Sequence, residues 1–79
     1  MFEIKNPSFY WLNKEMFILA FDGGIDDDGD EYSYQIQYLK ESGEFCFLRW
    51  YEFDVTPAGF SREQEEYLKS IMFEEMLRS

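Results

Sequence analysis

Seventy-nine residues carry 17 acidic and 7 basic side chains, for a net charge of −10, so the length fits one domain spanning residues 1–79. That charge disfavours direct binding to DNA or RNA, whose phosphates would repel this surface, and for the same reason disfavours binding to an anionic membrane surface. Aromatic residues make up 22% of the chain (nine Phe, six Tyr, two Trp), which excludes an acidic disordered tail. About 63% of the surface of a chain this long can be buried. That is enough for one modest core, but it leaves little room for a deep catalytic pocket and forces some rings to the surface.

Met1 to Leu12 are apolar and aromatic, interrupted by Asn6-Pro7. Pro7 bars a continuous central strand there. Asn6-Pro7 suits either a helix cap or a turn; the preferred reading is a turn followed by a strand over Phe9 to Leu12. Asn13-Lys14 then separates that run from Met16 to Phe21, the pattern of a hairpin. Asp22 to Glu31 is dense in Gly and Asp and reads as a loop. Tyr32, Tyr34, Ile36 and Tyr38 alternate with Ser33, Gln35 and Gln37, the period of a strand. A turn follows at Glu41 to Glu44. Phe45 to Phe53 reads as a strand that is apolar on both faces, hence central or in contact with a partner.

Thr56 to Gly59 breaks the pattern, and a helix is expected from Ser61 to about Arg78. Ser61 and Gln64 have the spacing of a capping box, and glutamates in the first turns suit the helix dipole. Leu68, Ile71, Met72 and Met76 recur at helical spacing and are expected to face a sheet. The fold class is α+β: a small antiparallel sheet of three to four strands with a C-terminal helix packed on one face.

The chain contains no histidine and one cysteine, Cys46. Ser-His-Asp and Cys-His catalysis are therefore excluded, as are zinc sites built from Cys and His. Cys46 lies among apolar residues and is expected to be buried packing; a lone cysteine forms no intrachain disulfide, which favours a reducing compartment. Met1 to Trp11 lacks the pattern of a secretory leader, and no apolar run is long enough to cross a membrane. The expectation is a cytoplasmic protein with no enzymatic activity and no cofactor. An EF-hand frame with Gly29 at its sixth position places Asp26 and Asp28 correctly, but it puts Gly24 first and Gln35 twelfth. No specific metal site is expected, only weak adventitious binding of a divalent cation.

The same segment has another meaning as a charge array. Asp22, Asp26, Asp27, Asp28, Asp30 and Glu31 place six carboxylates in ten residues. Extended, that is roughly one charge per 6 Å, within a factor of two of a single nucleic-acid strand at about 3.4 Å. Glu52 and Asp54 add a pair expected on one face at the end of a strand, while Glu63, Glu66 and Glu74 are expected on the solvated face of the helix.

In size, acidity and lack of catalytic residues the chain resembles the small phage-encoded inhibitors: anti-CRISPR proteins, uracil-DNA glycosylase inhibitors and antirestriction proteins. No shared motif assigns residue roles. The resemblance implies an inhibitor that occupies the basic nucleic-acid-binding surface of a target enzyme or complex. The expected contact residues are the eight carboxylates at positions 22, 26, 27, 28, 30, 31, 52 and 54, with Tyr32, Tyr34 and Trp50 as aromatic anchors. An immunity protein or antitoxin neutralising a basic toxin is the alternative. Monomer and homodimer both remain open, since an exposed strand edge can pair with its own copy.

Overall fold

A computed structural model describes residues 4–25 and 31–78, apart from the side chains at 24, 25 and 31. Five strands and one helix follow in chain order: β1 Lys5–Asn13, β2 Met16–Ile25, β3 Glu31–Leu39, β4 Glu44–Tyr51, β5 Asp54–Pro57 and α1 Arg62–Arg78. The strands form one antiparallel meander in the order β1-β2-β3-β4-β5. The fold is therefore α+β, with five strands rather than the expected three to four.

The additional strand is β5. Glu52-Phe53 reverses the chain, so the run read as one strand to Phe53 ends at Tyr51 and returns through Asp54 to Pro57. Neither turn residue is the Asn or Gly that marks two-residue hairpins, and Glu52 takes a positive φ of 54° without a glycine's freedom. β4 is consequently next to the edge rather than at the centre of the sheet, which β3 occupies.

Strand β1 begins earlier than expected, at Lys5. Its pairing with β2 shifts between Lys5 and Ser8, where Asn6 has a φ of 51°. Pro7 is accommodated because this is an edge strand with an irregular register. The turn into β2 is held by Asn13, whose Oδ1 accepts a hydrogen bond from the Glu15 amide at 2.8 Å. Strand β2 continues through Ile25 and β3 starts at Glu31, so the segment expected to be all loop is strand at 22–25 and again at 31. Asp26, Asp27, Asp28 and Asp30 lie outside the described residues.

Alternation divides the sheet into two faces. Phe17, Leu19 and Phe21 of β2, Tyr34, Ile36 and Tyr38 of β3, and Phe45 and Phe47 of β4 point towards the helix. The helix answers with Leu68 and Met72, both fully buried, flanked by Ile71 and Met76 as their spacing predicts. The capping box forms: the Ser61 amide donates to Gln64 Oε1 at 2.8 Å, and the Gln64 amide donates to Ser61 Oγ at 3.2 Å. Rings fill much of the layer between helix and sheet. Tyr38, Phe45 and Phe73 meet with centroids 4.8–5.5 Å apart, and Phe60 packs on Tyr34 at 5.0 Å.

One helix covers one face. Cys46, on the other face, is exposed rather than buried as expected, because alternation aims it away from the helix while its neighbours Phe45 and Phe47 point inward.

Gly23 marks a close approach in β2. A Cβ there would run into the ring of Tyr34, and that ring cannot easily swing away because it stacks on Phe21 at 5.3 Å and packs on Phe60. Gly23→Ala is expected to destabilise the fold by about 1–3 kcal/mol through overpacking, read as a lower urea midpoint. An unchanged midpoint would show that the Tyr34 ring moves freely.

Candidate functional site

The strand register gathers the candidate residues at one end of the sheet. Ile25 pairs with Glu31, so the segment that carries Asp26, Asp27, Asp28 and Asp30 leaves and re-enters there. Ser33 pairs with Trp50, and Tyr51 pairs with Asp54, so the β4–β5 turn lies at the same end. Asp22, Tyr32, Glu52 and Asp54 belong to it too. The chain enters α1 nearby: Phe60 packs on Tyr34 and Phe47, and Glu63 and Glu65 follow in the first helical turn.

These side chains differ in what they are free to do. The Asp22 carboxylate accepts hydrogen bonds from Asn6 Nδ2 at 3.3 Å and Ser33 Oγ at 3.1 Å. It therefore ties β1 to β3 across β2, besides adding charge. Tyr34 is half-buried between Phe21 and Phe60, and most of its ring is committed to the core. Tyr32 is half-buried, with the Arg49 guanidinium 4.5 Å from its ring centroid and Tyr51 edge-on at 5.3 Å. Glu52 and Asp54 are exposed, but Glu52 lies in the turn and Asp54 opens β5, so they do not share one face of a strand as expected.

Among the described residues the β4–β5 hairpin carries the largest apolar exposure at this end. Trp50 is 42% exposed, Tyr51 39%, Val55 43%, and Phe53, at the tip, 98%. Single exposed hydrophobic residues are ordinary, but neighbouring ones rimmed by charge mark interaction sites. Sequence reasoning found Trp50 and missed Tyr51, Phe53 and Val55, because it placed the turn too late. The signal was the short run Asp54 to Pro57 after a break in alternation at Glu52.

The opposite end of the sheet is mixed in sign, with Lys14 and Lys40 beside Glu15 and Glu41. There an open cleft of about 450 Å³ is lined by Trp11, Tyr38, Lys40, Phe73, Met76 and Leu77. Among the described residues no three His, Cys, Asp or Glu side chains converge as metal ligands. No helix among them is long and apolar enough to cross a membrane.

Fold and surface together define a two-layer α+β domain with an acidic, aromatic-tipped end. The chain matches no family model, no curated protein and no solved structure.

Proposed function

We propose that this chain is a non-catalytic cytoplasmic binding protein: an inhibitor that docks its acidic, aromatic-tipped end on the basic nucleic-acid-binding surface of an enzyme or complex. The observation that carries the reading is that the exposed β4–β5 hairpin, with Glu52 and Asp54, lies at the same end of the sheet as Asp22 and as Ile25 and Glu31, the strand ends that bound the acidic segment. Carboxylates steer a basic partner and suppress wrong ones. Rings supply the desolvated contacts that hold it, since ion pairs alone often break even. Phe53 suits that role because almost none of its surface is engaged by the rest of the chain. The missing histidine and the small core favour binding over catalysis.

The test is affinity purification from a host lysate at low salt, followed by competition. A nucleic-acid-binding enzyme or complex is expected on the resin, and its affinity for nucleic acid should fall as this protein saturates it. If nucleic acid binds the saturated target as tightly as before, groove occupancy is wrong. If the captured protein is instead a basic toxin, the reading passes to an immunity protein.

A further inference from the structure

The face of the sheet opposite the helix is unusual for a chain in which 30% of residues are charged. Antiparallel sheets open to water on one side normally alternate apolar-in and polar-out. Here successive cross-strand rows on the open side read Lys5, Asp22, Ser33, Trp50, Val55; then Ser8, Ala20, Gln35, Leu48, Pro57; then Tyr10, Ile18, Gln37, Cys46; then Asn13, Met16, Leu39, Glu44, with polar residues concentrated in the two end rows. Among the described residues the only carboxylates in these rows are Asp22 and Glu44, at opposite ends of the face. Ile18, in the middle of these rows, is fully buried and stands outside the cluster that α1 covers. Tyr10 and Gln37 flank it in register.

We infer that this face is where two copies of the chain stack, sheet on sheet, into a helix–sheet–sheet–helix dimer. A basic partner does not suit it, since it offers that partner almost no carboxylate. A two-fold interface needs a surface complementary to itself, and this one meets the requirement. Apolar side chains face their like. The Gln37 amide donates to Gln35 Oε1 at 3.2 Å, and both amides retain donor and acceptor capacity for their counterparts in the second copy. Five strands at about 4.8 Å spacing and about seven residues at 3.3 Å give roughly 500 Å² per copy. Stacking thus buries about 1,000 Å² in all, where specific interfaces begin. The β4–β5 turn at Glu52-Phe53 lies beyond the last row and remains outside the stack, whereas Asp22, Trp50 and Val55 form the rim row at that end.

This geometry sets the sign of the salt effect. Two copies at −10 each repel through their rims, and at 0.5 M salt the repulsion is screened beyond about 4 Å. Self-association should therefore strengthen with salt, whereas binding of a basic partner weakens, so the two readings fail separately.

The experiment is sedimentation equilibrium of the full chain at low and high salt, with the maleimide labelling rate of Cys46 measured in parallel. The expected result is a dimer fraction that rises with protein concentration and with salt, while Cys46 labelling slows in step. Gln37→Glu, which buries a like-charged pair in the stack, should weaken dimerisation about a hundredfold or more; circular dichroism confirms that the variant is folded. A chain that stays monomeric at high salt overturns the inference. So does a dimer whose Cys46 reacts at the monomer rate, one that dissociates as salt rises, or one that Gln37→Glu leaves intact.

Discussion

Reversing Asp26, Asp27 and Asp28 to Lys is expected to slow association with the basic partner about tenfold or more at low salt. Each exchange removes one negative charge and adds one positive, which moves the net charge from −10 to about −4. The change falls at the end of the sheet where Glu52, Asp54 and the exposed hairpin rings lie. Steering acts on diffusional encounter, so the effect belongs in the association rate and should fade at about 1 M salt, where screening reaches about 3 Å. Dissociation is governed by the desolvated contacts. Phe53→Ala should therefore show the complementary pattern: faster dissociation, near-normal association and an unchanged salt slope. Stopped-flow kinetics against the purified target separates the two. Equal association rates for the reversed and parent chains at low salt would remove the β2–β3 connection from the interface. The triple variant should fold at least as well as the parent, because a smaller net charge relieves self-repulsion.

What the sequence revealed of this fold divides along physical lines. Strand β3 and helix α1 were legible because each has a strong local signal: alternation over Tyr32 to Tyr38, and a capping box followed by Leu68, Ile71, Met72 and Met76 at helical spacing. The capping box formed with the predicted partners. The β4–β5 hairpin was not legible, since Glu52-Phe53 carries none of the residues that favour positive φ. Tertiary pairing of Trp50 with Val55, and of Leu48 with Pro57, holds it instead. The exposure of Cys46 was misread for a related reason. A strand apolar on both sides implies cover on both sides, but the described residues supply one helix. At the acidic end the carboxylates were visible as composition. The placement of Phe53 and Tyr51 at the same end of the sheet as Asp22 depends on strand order and register, and no local window contains that information.

Leu68→Ala is expected to lower the stability of the domain by about 3 kcal/mol. Leu68 is fully buried and, with Met72, joins α1 to Phe17, Leu19, Phe21 and Ile36. Truncation removes its transfer free energy and leaves a cavity, and buried leucines in such positions cost about 2–5 kcal/mol. Rings crowd the same layer, with Tyr38, Phe45 and Phe73 mutually in contact, so the surroundings cannot readily collapse into the gap. A chain of this length has a total stability of roughly 4–12 kcal/mol, of which the loss is a large share. At about 4–8 °C per kcal/mol for a domain of this size, the melting temperature should fall by about 12 °C or more. Leu77, on the same helix but 88% exposed, provides the comparison: Leu77→Ala should change stability by no more than about 0.5 kcal/mol. Calorimetry of both variants distinguishes the two faces of α1. A loss below about 1 kcal/mol for Leu68→Ala would mean that the helix is not anchored through this residue. The layer of rings, rather than the aliphatic contact, would then be what holds α1 to the sheet.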